Sequence, residues 1–143
     1  MSPRHRRDTL LDTGPLVALL DQADKYHADS VLVWQSEGAR CITTEAVVTE
    51  ASYMVARSGG DRALVLEVLL AGEVPIFSLD IEAHRTAVAL LRRYHDIPMD
   101  YADATLVVAA QWLGTNRVFT LDRRGFSAYR HPNGARFSLL PER

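Results

Sequence analysis

One lysine, Lys25, and one cysteine, Cys41, in 143 residues close off several function classes at once. A single thiol can form neither an intramolecular disulfide nor a multi-cysteine zinc site, and that usage fits a reducing compartment. Cys41 is expected as a small buried residue on a strand. No window supplies the ~20 consecutive apolar residues of a transmembrane helix. The N-terminal MSPRHRRD runs into only TLL, too short an apolar stretch for a secretory leader. A cytoplasmic protein with no membrane partner is therefore expected. Repeats, Pro/Gly/Ser-rich linkers and low-complexity tracts are missing, as are G-x-S-x-G and P-loop patterns, which leaves serine nucleophiles and nucleotide hydrolysis without support. The histidines, His5, His27, His84, His95 and His131, are scattered and carry no motif, so local structural roles are expected of them.

A net charge of −2 argues against coating nucleic acid by overall charge. The positive charge that exists is almost all arginine, whose planar fork suits phosphate. Arg4/Arg6/Arg7, Arg92/Arg93 and Arg123/Arg124/Arg130 are the local patches, each either a phosphate contact or a solvated surface.

The length fits one domain over 1–143, with 1–8 as a basic N-terminal extension. Periodicity and breakers predict the following elements. TLLD at 9–12 reads as a short buried strand, and Gly14-Pro15 opens a helix through Leu20. A helix at about 25–37 ends at Gly38, and RCIT at 40–43 is a strand. A third helix, capped by Thr43 or Thr44, runs to Arg57, with Val47, Glu50, Ala51 and Met54 on one inward face. The segment 61–71 is helical and apolar on nearly all sides, with Glu67 as its lone mid-helix charge, which suits burial in the core or against a partner. Val74 to Leu79 is a strand, and 81–95 is an amphipathic helix ended by Pro98. A helix at about 100–113 starts with Asp100 and Asp103 on one face of its first turn. RVFTL is a fourth strand ended by Asp122, and RFSLL a fifth. Strands alternating with helices imply an α/β fold with a mainly parallel sheet of four to five strands covered on both faces. Ligands in such sheets bind beyond the carboxyl ends of the strands.

Four acids, Asp12, Glu50, Asp103 and Asp122, fall in or at the ends of apolar stretches and are all assigned to that edge. Taken singly each has a bland explanation. Asp12 is then a helix cap, Asp103 a first-turn partner of the helix dipole, Asp122 a turn former, and Glu50 an ion-pair member with Arg57. Taken together, four carboxylates within about 4–6 Å repel by roughly 4 kcal/mol per pair at an effective dielectric of about 20. A shared proton or a bound cation is then required, and an all-oxygen set suits Mg²⁺ or Mn²⁺ rather than zinc.

The segments LLDTGPLVALLD (10–21), TTEAVVTEASYMV (43–55), DYADATLVVAA (100–110) and VFTLDRRGF (118–126) resemble, in order and separation, the PIN domains of VapC-type toxins from toxin–antitoxin pairs. The resemblance covers the chain after the first eight residues. It implies a three-layer α/β/α sandwich and an Mg²⁺- or Mn²⁺-dependent endoribonuclease, the toxin of a type II module. It carries the catalytic and metal-binding roles over to Asp12, Glu50, Asp103 and Asp122. Asp12 and Asp103 are then the principal metal ligands, with Asp122 direct or through water, and Glu50 orients the attacking water. Thr13, Asp100 and Thr120 have supporting places. The partners implied are RNA, a VapB-type antitoxin and a second copy of the chain, with a higher assembly in the antitoxin complex. Two rival functions are a catalytically silent PIN-fold binding module and a phospho-acceptor receiver domain. The latter needs a lysine at a late strand end, whereas Lys25 lies in an early helix.

Overall fold

The structure, a computed structural model, describes residues 6–142. Five short strands form one sheet in the order β3-β2-β1-β4-β5, every pairing parallel. They are β1 (Thr9–Leu11), β2 (Cys41–Thr44), β3 (Ile76–Phe77), β4 (Arg117–Phe119) and β5 (Ser138–Leu140). Parallel strands require crossovers, and the described residues supply seven α-helices to make them. These are α1 (Thr13–Leu19), α2 (His27–Glu37), α3 (Glu45–Arg57), α4 (Ala63–Ala71), α5 (Ile81–Arg93), α6 (Tyr101–Leu113) and α7 (Arg123–Ala128). The result is the expected α/β/α sandwich. The central strand β1 lies between β2 and β4, so chain order reverses on either side of it, and the crevice above β1 and β4 is the topological switch point.

Burial follows from the apolar content of each element. Leu10, Leu11, Cys41, Val118 and Phe119 are fully buried in the sheet. Helix α6 is sequestered all round: every residue from Ala102 to Ala110 is buried, because its small Ala and β-branched side chains let neighbours approach on each face. Gly114 ends it in the left-handed conformation at φ 64, which glycine adopts without a Cβ clash. In α5, Asp80 caps the N-terminus through Ala83 N, and Ala83, Ala87 and Leu90 form the buried stripe. Phe126, Tyr129, Tyr94 and Phe137 pack edge-on at centroid distances of 5.1–5.9 Å and form an aromatic cluster. Each such pair is worth about 0.5–1.5 kcal/mol beyond its area.

Several expectations are corrected in detail. The strand beginning at Val74 shrinks to Ile76–Phe77, although the Pro75 carbonyl still accepts Thr43 N–H at 3.1 Å. Gly38 ends α2 as expected, in a right-handed conformation at φ −57. The backbone continues as a 3₁₀ turn, Gly38–Arg40, and a Cβ at Gly38 would stand 3.1 Å from the Trp34 ring. Thr44 occupies the cap position of α3, yet its hydroxyl pairs with Thr105 Oγ1 at 2.8 Å and binds β2 to α6 instead. Met54 turns outward, 40% exposed, and Val55 takes its place in the core. Asp122 does not end β4: Thr120 and Leu121 intervene, and Asp122 caps α7, a helix that periodicity alone does not announce.

The basic extension is partly absorbed into the fold. The Arg7 guanidinium donates to the carbonyls of Gly38, Cys41, Gly72 and Glu73 at 3.1–3.3 Å, and Asp8 pairs with Arg40 at 2.6 Å. Arg7 therefore braces backbone rather than presenting its charge to phosphate, while Arg4 and His5 lie outside the described residues. Arg123 and Arg130 are likewise engaged, by the Pro141 carbonyl and by the carbonyls of Ser127, Ala128 and Tyr129. Arg92, Arg93 and Arg124 are exposed.

Candidate active site

Asp12 follows β1 directly, and its backbone N–H donates to the Phe119 carbonyl at 2.9 Å, so the acid stands where β1 and β4 end together. Its carboxylate is 6% exposed. Thr13 N–H donates to Oδ1 at 2.8 Å, and the Thr120 hydroxyl donates to Oδ2 at 2.7 Å. The Thr120 oxygen also accepts Asp122 N–H at 2.9 Å, so one threonine aligns two acids. Burial pushes the Asp12 carboxyl up to about 6 against those hydrogen bonds, with the charges of Glu50 and Asp122 adding to the rise.

Asp103 is 8% exposed at the start of α6. Asp100 and Asp103 form a capping box: Asp100 Oδ1 accepts Asp103 N–H at 2.8 Å, and Asp103 Oδ2 accepts Asp100 N–H at 3.1 Å. The Tyr129 hydroxyl donates to the same Oδ2 at 3.3 Å. Burial raises the Asp103 carboxyl to about 8, and the charges of Asp100 and Asp12 push in the same direction. Glu50 is half-buried on α3 and accepts the Thr13 hydroxyl at 3.3 Å through Oε2. Its carboxyl is also raised, by burial first and the Asp100 charge second. Asp122 lies at the exposed rim, where Oδ1 accepts Gly125 N–H at 3.0 Å.

The bland explanations and the site are thus compatible. Asp12, Asp103 and Asp122 do cap helices, and three of the four acids keep an oxygen that no protein donor reaches among the described residues: Asp103 Oδ1, Asp122 Oδ2 and Glu50 Oε1. Asp12 retains lone pairs beyond its two hydrogen bonds. The remaining explanation fails, since Glu50 makes no ion pair with Arg57. Among the described residues no arginine, lysine or histidine pairs with any acid of this group, and every cation–carboxylate pair lies elsewhere.

An uncompensated, oxygen-only cluster of this kind fits a hard divalent cation. Among the described residues, however, no three acid, histidine or cysteine side chains are drawn together tightly enough to enclose a metal ion. Ligation would take side-chain rotation and water in much of the coordination shell, as Mg²⁺ tolerates.

Tyr129 is the contributor that sequence reasoning missed. It is 1% exposed, and burial followed by the Asp103 charge pushes its phenol further up, so it stays a donor. It lies in SAYR, where no motif marks it, and only the fold of α7 turns it toward Asp103. Gly125 belongs with it: a Cβ there would overlap Asp122 Oδ2 and stand 3.1 Å from the Tyr129 hydroxyl. The histidines hold local places, as with His27 Nδ1 at 2.7 Å from the Ala18 carbonyl and His131 Nε2 at 3.2 Å from that of Ala110. Lys25 sits 4.9 Å from the Tyr26 ring centroid, ahead of α2, which removes the lysine a receiver domain needs.

A parallel sheet with acids gathered near its switch point defines an α/β class of protein with an acidic candidate site, and comparison with known proteins makes the class specific. The PIN domain model matches residues 9–132, and the chain belongs to that family. It is similar to ribonuclease VapC26 of Mycobacterium tuberculosis, 34% identical over 134 residues that cover 92% of this chain and 99% of the relative. Among solved structures, the M. tuberculosis toxin VapC20, described as cleaving the sarcin–ricin loop, superposes with a TM-score of 0.74 at 19% identity, over 80% of this chain and 90% of that one. VapBC2 of Rickettsia felis, bound to a DNA fragment from its promoter, superposes with a TM-score of 0.66 at 13% identity, over 92% and 97%. At those identities the structural likeness establishes the fold. No described helix is long and apolar enough to cross a membrane.

Proposed function

We propose that this chain is a divalent-metal-dependent endoribonuclease and the toxin of a toxin–antitoxin pair. The observation that carries the chemistry is the group of cation-free carboxylates at the switch point, of which the two buried ones, Asp12 and Asp103, are raised to about 6 and about 8. The nearly full-length likeness to a ribonuclease VapC supports RNA as the substrate. Mg²⁺, with Mn²⁺ as substitute, supplies a water of lowered pKa and neutralises charge on the phosphate when bound.

The chain's own residues have distinct parts in this proposal. Asp12 and Asp103 are the principal ligands, with Asp122 direct or through water. Thr120 and Thr13 N–H hold Asp12, and Tyr129 with Asp100 N–H holds Asp103 by Oδ2, which leaves Oδ1 without a protein donor and available to a cation. Glu50, kept in place by the Thr13 hydroxyl and raised above the ordinary glutamate range, orients the attacking water and accepts its proton. A VapB-type antitoxin and a homodimer are the proposed protein partners. Exposed Leu66 and Leu70 on α4 supply apolar surface suited to such contacts.

The test is cleavage of total RNA by the purified protein with Mg²⁺ or Mn²⁺, read by sequencing the new ends, beside a chelator control and Asp103→Asn. Discrete cuts that need metal and vanish in the folded variant are expected. Equal cleavage by Asp103→Asn, or cleavage indifferent to chelator, overturns the proposal.

A further inference from the structure

Ala46, Thr49, Glu50 and Tyr53 recur at spacings of three and four along α3, so they form one ridge beside the buried stripe Val47, Ala51 and Val55. The start of α6, from Asp100 to Ala102, stands opposite. Between them runs an open groove of about 490 Å³, within the roughly 300–1,000 Å³ of small-ligand clefts. Glu50 and Asp100 belong both to this groove and to the acid cluster, so the groove opens directly from the candidate active site.

Two large rings stand in it and remain in water: Tyr53 is 64% exposed and Tyr101 49%. Tyr101 is nevertheless held. Its hydroxyl lies 2.6 Å from His84 Nε2, and the imidazole runs nearly parallel beside its ring, the centroids 5.8 Å apart with a 9° tilt. His84 is fixed in turn by Nδ1, 2.9 Å from the Asp80 carbonyl. A half-exposed aromatic plane fixed in orientation is pre-organised for stacking, since little freedom is lost when a ligand lies on it. The lining holds no arginine or lysine and two acids, which repel phosphate and favour an uncharged planar group.

We propose that this groove receives one unpaired nucleobase of the RNA whose phosphate lies at the acid cluster, with Tyr101 as the stacking plane and Tyr53 as the facing wall. The inference rests on the ribonuclease function proposed above and deepens it. A base inside a duplex has both faces covered by its neighbours, so the groove selects single-stranded loops or splayed nucleotides. It also makes the residue at position 101 a determinant of which nucleotide flanks the cut.

The test compares wild type, Tyr101→Ala, Tyr101→Phe and Tyr53→Ala on a short single-stranded RNA containing the mapped cut site, with melting curves to verify folding. Base–aromatic stacking is worth about 1–3 kcal/mol, or about 5- to 150-fold. Tyr101→Ala should therefore lower kcat/KM by at least fivefold and blur the nucleotide preference beside the cut, whereas Tyr101→Phe, which keeps the ring, should stay within about threefold. Tyr53→Ala is the second probe of the same groove. A binding arm is independent of chemistry: Asp103→Asn protein should quench 2-aminopurine placed beside the cut site, and adding Tyr101→Ala should abolish the quench. Unchanged kinetics and cut preference in both alanine variants overturn the subsite, as does weakened binding of a protein partner with RNA kinetics intact. If wild type cuts no RNA, the ribonuclease proposal fails, and failure of the Asp103→Asn protein to quench 2-aminopurine in an unstructured single-stranded RNA then overturns the groove separately.

Discussion

Neutralising Asp103 should stabilise this protein in a way that depends on pH. Asp103 is buried, and burial with the Asp100 charge raises its carboxyl to about 8 from the 3.8 it has unfolded. Below pH 3.8 both states hold the proton and the site costs nothing. Between 3.8 and 8 the unfolded chain has released a proton that the folded chain retains, so stability falls as pH rises, by about 1.4 kcal/mol per pH unit. Above 8 both states are ionised and the penalty is constant. At pH 7 the shift corresponds to roughly 4 kcal/mol, and we take about 2 kcal/mol because water at the rim screens part of it. Asparagine carries no charge at any pH and keeps an oxygen for Asp100 N–H and the Tyr129 hydroxyl. In chelator at pH 7–8, Asp103→Asn should melt about 6 °C above wild type, while at pH 4 the two should coincide. Millimolar Mg²⁺ or Mn²⁺ should raise wild type and leave the variant nearly unmoved. Differential scanning fluorimetry across pH 4–8 reads both effects. A variant no more stable than wild type at pH 8, or a difference constant with pH, would refute the reasoning.

Three further outcomes are expected. Tyr129→Phe removes only the hydroxyl that donates to Asp103 Oδ2; Mn²⁺ affinity by calorimetry should fall several-fold while melting moves by less than about 1 kcal/mol in equivalent stability. Gly125→Ala puts a methyl against Asp122 Oδ2 and the Tyr129 hydroxyl, so RNA cleavage should drop at least tenfold and stability by about 1–3 kcal/mol, read by cleavage assay and urea midpoint. Arg7→Ala removes four hydrogen bonds to carbonyls and should cost about 2–3 kcal/mol in denaturant unfolding, with cleavage per folded molecule unchanged.

The alternating pattern of strand and helix was legible because it rests on local signals: apolar runs, Gly14-Pro15, Gly114, and the stripe Ala83, Ala87 and Leu90. β3 was overread because VPIFSL has strand composition throughout, yet only Ile76 and Phe77 register against Thr43 and Thr44. α7 went unseen because RRGFSA contains no helical stripe and a central glycine, and what forms it is the Asp122 cap together with the burial of Phe126. The four acids were legible from their setting in apolar segments and from the motif order. Their capping duties were also legible one by one, but not that capping engages a single oxygen of Asp103 and of Asp122 and leaves the other without a protein donor. Arg7 illustrates the reverse limit: in sequence it reads as part of a basic patch, and its four carbonyl acceptors come from segments 31 to 66 residues away.

By itself, then, the sequence determined the α/β class and the family and singled out the four acids as candidates, since composition, periodicity and short motifs are properties of neighbouring residues. The tertiary structure alone decided which oxygens Asp103, Asp122 and Glu50 leave undonated, that Tyr129 reaches Asp103 across 26 residues, and that Tyr53 and Tyr101 face one groove. Hydrogen-bond direction, desolvation and the approach of two helices depend on atoms brought together from distant parts of the chain, and no local pattern encodes them.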